Sequence, residues 1–381
     1  MITFTRPLDT GKLRMAYNND VAEFYSTSEN TPAYCDVSFQ GQEFSLRLYP
    51  APTGKFFINF KDYVSACINT RNFEDVLHTN LQTPHPQSFI YDATPGTLLI
   101  TDVGFKIWFS ETEYEEQSFT MKWLAGAEQL ADYNYFAVNG TYLLTPFEKY
   151  TANHYYLKYW QGYPFDIPVY SNNNSLTIKN NTNALSQTFV LPGNVSRIYL
   201  SDGRTDESLE DLLPLVEGYN KLSIINSGEE GENDKFLLLE KIPYQCGIYL
   251  KWLNRYGCYN YWLFENTYTI DRSAKQLGEL SRDNANLEDT FSRAIQIGKE
   301  SQDTMKIIAE LLTEEETNVL QGILDSPKVY MFTGKPFAQS SYRDWIEVSL
   351  KSGNARIKNA KQPLNNFSFD IELPARYTQT L

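Results

Sequence analysis

Several segments of the chain alternate apolar and polar side chains, which is the period of a β-strand with one buried face. The clearest alternation is near the end of the sequence, where one face of a predicted strand carries Phe367, Phe369, Ile371 and Leu373. Pro374 ends that strand. The same pattern runs through 43–48 and through 345–350. These segments predict half-exposed antiparallel sheets.

Short predicted strands fill the first third of the chain. They are 12–17, 33–39, 43–49, 55–60, 88–92, 97–109 and 114–122. Frequent turn residues between them favour a β-sandwich or a small barrel. Asparagine-rich loops are predicted further along, at 171–175 and 180–183.

A hairpin rich in aromatic residues is predicted at 246–264. Its two strands meet at a four-residue turn, Asn254–Gly257, in which Asn and Gly supply the backbone angles. With Leu253 opposite Cys258, Cys246 lies about 23 Å further along the strand, so a disulfide within the hairpin is excluded. Both faces carry bulky side chains, and we expect other parts of the chain or a neighbouring subunit to cover them.

Helical periodicity is concentrated between residues 300 and 325. Segments 301–312 and 313–324 each predict a helix, and Thr313-Glu-Glu-Glu316 has the spacing of a capping box. The second helix has an apolar stripe, Val319, Leu320, Ile323 and Leu324, and a polar face, Glu314–Glu316 with Asn318, that we expect in water. Shorter helices are predicted at 62–67, 208–215 and 274–280.

The predicted fold is therefore mostly β, with two to three β-sandwich or small-barrel modules and a short helical insertion near 300–325. Composition divides the chain into an N-terminal β domain (1–122), a middle β domain with Asn-rich loops (123–240) and a C-terminal β domain with the helical insertion (241–381). The 381 residues include 27 Tyr, 23 Phe and 6 Trp, an aromatic content that suits strands and reinforces this assignment.

The net charge of −14, from 33 basic and 47 acidic side chains, argues against a protein that grips nucleic-acid phosphates. No apolar run reaches the ~20 residues of a membrane helix, and the first residues lack the pattern of a signal peptide. We expect a soluble protein that is made in the cytoplasm.

The sequence gives little indication of metal or redox chemistry. The four cysteines, Cys35, Cys67, Cys246 and Cys258, are too scattered for a disulfide scaffold or a zinc motif and are predicted to be buried free thiols. The acidic run 228–234 lacks the spacing of a calcium loop and predicts a solvated turn. We expect no cofactor and no bound metal.

The segment 247–264 resembles one found in virion structural proteins of tailed phages that infect Bacteroidetes, including the crAss-like group. Further segments that agree are 54–67, 326–330, 344–348 and 367–374. The resemblance implies a β-rich module repeated around the axis of a portal-proximal or tail structure, as a subunit of a ring, collar or hub. It implies no catalytic residue.

The same resemblance implies a place in the virion, in the tail or portal-proximal region, after assembly in the host cytoplasm. The implied partners are further copies of the chain and other virion proteins of the portal-tail region. No membrane and no sequence-specific nucleic acid are expected among the partners.

Interface or packing roles are predicted for a set of bulky aromatic residues, Trp252, Tyr259, Tyr261, Trp262, Phe264 and Trp345. Tyr and Trp anchor interfaces, and open sheet edges pair across subunits. Core packing is the alternative; it is favoured for Trp252 and Trp262 and evenly balanced for Trp345.

Two other classes of function remain open at the level of sequence. A glycoside hydrolase needs two carboxylates across a groove, but the sequence places no two together, and it contains no Gly-x-Ser-x-Gly or phosphate-loop motif. We therefore expect no enzyme. In a glycan-binding or receptor-binding tail module, a platform for sugar rings would consist of Tyr155, Tyr159, Trp160 and Tyr163, although their alternation favours a second sandwich core.

Overall fold

The computed structural model describes residues 1–42, 44–75, 89–129, 136–145, 154–201, 213–226, 234–265, 268–281, 294–337, 344–351, 356 and 364–380. Its strands, numbered along the chain, are β1 (Ile2–Phe4), β2 (Lys12–Met15), β3 (Val21–Ser26), β4 (Tyr34–Phe39), β5 (Ser45–Leu48), β6 (Phe56–Asn59), β7 (Ile90–Asp92), β8 (Leu98–Trp108), β9 (Tyr114–Leu124), β10 (Phe136–Ala137), β11 (Thr141–Leu143), β12 (His154–Trp160), β13 (Phe165–Ser171), β14 (Ser175–Asn180), β15 (Leu185–Val190), β16 (Val195–Ser201), β17 (Gly218–Asn226), β18 (Lys235–Ile242), β19 (Gly247–Leu253), β20 (Tyr259–Glu265), β21 (Tyr268–Ser281), β22 (Ala294–Leu312), β23 (Val329–Phe332), β24 (Trp345–Leu350) and β25 (Asn365–Glu372). The helices are α1 (Lys61–Ile68), the single turn α2 (Thr94–Thr97) and α3 (Glu314–Leu320), which continues as a 3₁₀ turn at Gln321–Ile323. The prediction of a mostly β fold is confirmed.

Within these residues the strands form sheets of three, six, four, five and seven strands. Their orders are β1-β3-β6, β10-β2-β9-β8-β4-β5, β11-β13-β16-β7, β12-β18-β17-β14-β15 and β20-β19-β23-β24-β25-β22-β21. Neighbouring strands are antiparallel except for β2 with β9 and β12 with β18, which are parallel. The asparagine-rich loops form the turns on either side of β14, as predicted.

The three- and six-stranded sheets share an aromatic core in the N-terminal part of the chain. Phe24 lies within it, with its ring centroid 5.4 Å from that of Phe56 and 5.0 Å from that of Phe105. The predicted alternation is clear in β8, where Phe105 and Ile107 are buried and the residues on either side of each are partly exposed. The predicted strands and the helix at 62–67 are present with small shifts at their ends, and β1 and β3 were not predicted.

A larger core joins the four-, five- and seven-stranded sheets with α3. It contains residues from Phe89 to Ile371 and continues across residue 240, where composition predicts a boundary. A third, small cluster brings together Leu13, Tyr170 and Tyr256, one from each predicted block. The three-domain division stays a prediction, and the residues on the two sides of 240 share one core.

The predicted aromatic hairpin is present as β19 and β20, with a corrected register. Leu253 pairs with Tyr259 and not with Cys258, because the connecting loop is one residue longer than predicted. The side chain of Asn254 organises this loop, since its Oδ1 accepts hydrogen bonds from the backbone N–H groups of Tyr256 and Cys258 at 2.9 and 3.2 Å. Both faces of the hairpin are covered by the chain itself.

Helix α3 begins with the predicted capping box. The backbone N–H of Glu316 donates to Thr313 Oγ1 at 3.3 Å, and Glu316 Oε2 accepts from the backbone N–H of Thr313 at 2.7 Å. The expectation that Glu316 faces water is wrong, because its carboxylate is buried against Lys158 of β12 and forms an ion pair with it. The first turn of α3 is thereby fixed to the five-stranded sheet.

The helices predicted at 301–312 and 274–280 are wrong, since both segments are strands of the long hairpin β21–β22. From Met305 to Ala309 of β22 every second side chain is buried, which is the period of a strand. The buried residues Met305, Ile307 and Ala309 pair with apolar residues of β25. In a helix Met305 and Ala309 would share a face, but Ile307 would point to the opposite side, away from β25. The helix predicted at 208–215 and the acidic run 228–234 lie mostly outside the described residues.

The four cysteines carry free thiols, but the expectation that all are buried is wrong. Cys35 and Cys258 are buried, Cys67 is half-buried and Cys246 is exposed. Cys246 directly precedes β19, in a segment of exposed residues. Burial raises the pKa of Cys35 to about 12, which keeps that thiol protonated and unreactive at neutral pH.

Candidate functional site

The aromatic residues predicted for interfaces or packing all lie in the interior. They are Trp252, Tyr259, Tyr261, Trp262, Phe264 and Trp345, and the most exposed of them shows only 8% of its surface. Their rings contact residues of their own chain; the Phe264 ring, for example, lies 5.3 Å from that of Phe369. A neighbouring subunit therefore has no access to these six side chains in this conformation.

The predicted sugar platform is corrected by the structure. Its members are Tyr155, Tyr159, Trp160 and Tyr163, and none is more than 3% exposed. Trp160 packs edge-on against Trp262, with ring centroids 5.0 Å apart. Since β12 lies inside the larger core, these rings offer no face on which a sugar can stack.

A buried ion cluster, which the sequence did not reveal, connects four segments of the chain. Arg197 of β16 donates hydrogen bonds to Asp75 and Asp166, with shortest distances of 2.8 and 2.7 Å. Lys251 of β19 donates to the same carboxylate of Asp75 at 2.7 Å. The Tyr261 hydroxyl donates to Asp166. Two positive and two negative side chains thus balance each other in the interior.

Burial and charge act against each other in this cluster. Burial lowers the pKa of Arg197, but the carboxylates of Asp166 and Asp75 outweigh it and raise the pKa well above its ordinary value. For Lys251 burial prevails, and its pKa is lowered. The guanidinium therefore stays charged at every physiological pH. The arrangement is that of a structural anchor between sheets.

A hairpin arm extends from the seven-stranded sheet. We define the arm as residues 272–281 of β21 and 294–303 of β22, a ribbon on the order of 33 Å long at strand rise. β25 pairs with β22 only between Thr304 and Leu312, so it stops where the arm begins. Residues 373–380 run beside the arm on the β22 side, where Gly298 forms a β-bridge with Thr380. Asp303 at the base binds both Arg272 and Arg376.

The opposite side of the ribbon is an open sheet edge. β21 is the last strand of its sheet, and no other strand among the described residues pairs with its outer side. Its register with β22 is unbroken from Tyr268 to Gln276. Ile270 is 53% exposed, whereas Met305 directly opposite on β22 is 3% exposed. The apolar face of the core therefore continues to an uncovered edge, which is the kind of edge that pairs with another chain.

A metal-ligand cluster and a membrane-spanning helix each make specific demands on the described parts of the chain. No group of three or more His, Cys, Asp or Glu side chains in those parts is arranged to hold a metal ion. Nor does any described helix combine the length and the apolar character that crossing a membrane requires.

No protein-family model and no curated protein matches the chain. Among solved structures, it is similar to fibronectin(III)-like modules of CbhA from Clostridium thermocellum, with 9% identity, a TM-score of 0.19, and coverage of 64% of this chain and 95% of that one. It is also similar to an endo-fucoidan hydrolase of glycoside hydrolase family 107, with 10% identity, a TM-score of 0.15, and coverage of 80% of this chain and 42% of that one. Similarities of this size carry no inference about what the chain does.

Proposed function

We propose that this chain is a non-enzymatic structural subunit of a symmetric ring or collar in the portal-tail assembly of a tailed phage. Two independent considerations support the proposal: the resemblance of 247–264 to phage virion proteins, and the open edge of β21. The open edge carries the argument, because it supplies a surface for another copy of the chain.

We take a second copy of the chain as the occupant of this edge, because the chain meets the geometric requirement of a ring. A ring needs two unlike surfaces on each subunit, so that each contact joins one surface to the other. β15 is also the last strand of its sheet, and it exposes Leu185 and Val190, which are 44% and 62% exposed. The chain therefore carries at least two different open edges, β21 and β15, among its described residues.

The experiment is a measurement of mass by light scattering and of symmetry by electron microscopy, on the full chain and on Ile270→Asp. The wild type should form closed rings, and Ile270→Asp should be monomeric because a charge on the edge of β21 opposes strand pairing. Both proteins should unfold at nearly the same temperature, since Ile270 lies at the rim of the core. Tyr49→Asp is the matched control: Tyr49 is 72% exposed and lies away from the arm, so its variant should still form rings.

Two results would contradict the proposal. One is a wild-type protein that stays monomeric up to its solubility limit. The other is a ring that survives Ile270→Asp unchanged.

A further inference from the structure

A cavity of about 470 Å³ lies beside the loop that connects β19 and β20. Its walls come from that loop, from the 3₁₀ turn after α3 and from Tyr17 and Phe73. The volume lies within the range of about 300–1,000 Å³ that is usual for small-molecule sites. Neither the aromatic core nor the arm described above includes it.

The orientation of Asn254 at the wall of this cavity is fixed by the backbone. Its Oδ1 accepts from two backbone N–H groups of its own loop, as described above, so its Nδ2 must point the other way. That Nδ2 donates to the carbonyl of Leu144 at 2.9 Å and to Oδ1 of Asn260 at 3.0 Å. The reversed amide would place two donors against two N–H groups, which excludes it.

Asn254 in turn fixes the amide of Asn260. Oδ1 of Asn260 accepts from Asn254 and from the Thr145 hydroxyl at 3.2 Å, so its Nδ2 is the group left to donate. Asn260 lines the cavity and is only 2% exposed, yet its Nδ2 has no acceptor among the described residues. A buried donor without an acceptor costs about 1–3 kcal/mol, so this site is poised for an oxygen atom supplied from outside the fold.

A second buried donor lies close by. Trp252 is completely buried, and its Nε1 likewise has no acceptor within the described part of the chain. A Cβ atom on Gly322, a cavity residue, would lie 3.4 Å from that nitrogen. The glycine thus leaves the indole N–H without a side chain in front of it.

The remaining lining narrows the chemistry of the ligand. Tyr17 and Phe73 supply aromatic surface, with ring centroids 5.6 Å apart, and Asn318 and Gln321 supply amides that both donate and accept. The charged residues among the described lining are one of each sign, Arg255 and Asp325. An anionic ligand would require a surplus of cationic donors. Unpaired donors, amides and aromatic surface with balanced charge suit a neutral ligand that is rich in hydroxyl groups.

We propose that this cavity binds a neutral sugar of one or two rings, with its hydroxyl oxygens accepting hydrogen bonds from Asn260 Nδ2 and Trp252 Nε1. The site is independent of ring assembly, because β21 and its edge contribute nothing to the lining.

Binding is tested with the full chain by saturation-transfer NMR, using glucose, galactose, mannose, fucose and N-acetylglucosamine, each as the free sugar and as the end of an oligosaccharide. At least one of these sugars should bind saturably, either free or as the end of an oligosaccharide. Binding of the oligosaccharide alone would show that the cavity recognises a glycan surface and not a free metabolite. Gly322→Leu should weaken binding by at least about tenfold, because its side chain fills the space in front of Trp252. Thr112→Leu, at an exposed position between β8 and β9 that belongs to neither the cavity nor an open edge named above, is the control and should bind as the wild type does.

Asn260→Asp provides a second variant should Gly322→Leu fail to fold. It keeps the oxygen that accepts from Asn254 and Thr145 and replaces only the unpaired donor, so it should also lose binding. Failure of every sugar to bind, or unchanged binding by a folded Gly322→Leu or Asn260→Asp protein, would overturn the proposal. Ile270→Asp, which tests ring assembly, should bind sugar normally, so the two proposals succeed or fail separately.

Discussion

Arg197 is the central cation of the buried ion cluster. It lies between two carboxylates from distant parts of the chain, and Lys251 supplies the second positive charge. Such a group is costly to bury and costly to remove, because removal leaves opposite charges in the interior without compensation.

We expect Arg197→Met to lower the free energy of unfolding by about 3–5 kcal/mol, since Asp75 and Asp166 then share a single cation. The comparison is Arg47→Met, which breaks an ion pair with Asp36 in which the arginine side chain is 52% exposed. Exposed pairs contribute about 0–1 kcal/mol. Urea denaturation of the two variants measures both effects, and equal losses would show that the buried cluster is not an anchor.

Residue-scale features were predictable from the sequence only where the partners are close in the chain. Thr313 and Glu316 are three positions apart, and their capping box was predicted because a helix start repeats that spacing. The members of the ion cluster come from four separate segments, and Asp75 and Arg197 are separated by 122 positions. The unpaired Nδ2 of Asn260 could not be predicted from the sequence either, because it is unpaired only when Asn254 and Thr145 donate to the Oδ1 of the same amide.

At the scale of elements, the hairpin β19–β20 was predicted because both of its strands and its turn are local. Its register was wrong by one position because Asn254 caps the loop with its side chain and so admits one more residue. The helix predicted at 301–312 failed for the opposite reason. Its residues have good helix propensity. The part of β22 that pairs with β25, Thr304–Leu312, is nevertheless a strand, because β25, which lies more than fifty residues later in the chain, buries alternate side chains of that part.

The loop of this hairpin also makes a close backbone contact with another part of the chain. Gly257 has φ +80°, and a Cβ atom there would lie 2.5 Å from the carbonyl oxygen of Ala125. Gly41 has nearly the same φ, +81°, with no atom within 4 Å of that position. Gly41→Ala should therefore cost only the backbone strain of about 1–2 kcal/mol, and Gly257→Ala should cost about 1–3 kcal/mol more from the clash.

Thermal or urea unfolding of the two alanine variants gives the comparison. If both lose the same stability, the contact between the loop and Ala125 is loose and the cavity beside it has a movable wall.

For the whole molecule, the buried tyrosines make stability depend on alkaline pH. Burial raises the pKa of four tyrosine hydroxyl groups to about 12. They belong to Tyr17, Tyr163, Tyr170 and Tyr330. An unfolded chain releases these protons near pH 10. Between pH 10 and 12 the folded state therefore binds more protons than the unfolded state, so the free energy of unfolding falls as the pH rises.

We expect urea titrations at pH 9, 10 and 11 to show the free energy of unfolding falling as the pH rises. The fall should begin near pH 10, the pKa of tyrosine in the unfolded chain. Absorbance at 295 nm should show the buried tyrosines ionising together with the loss of far-UV circular dichroism. Ionisation of all 27 tyrosines near pH 10 without any change in circular dichroism would contradict the burial described here.

The ion pair between Asp75 and Lys251 has a consequence for how the protein is made. The two residues are 176 positions apart, and a ribosome that adds about 5–20 residues per second needs on the order of 10–35 s to cover that distance. Arg197, the first counter-charge of Asp75, is synthesised 122 positions after it, and Lys251 completes the set only at the end of this interval. The segment after α1 can therefore take its final place only after β19 has been synthesised, and a stop before β19 would leave Asp75 without one of its two cationic partners.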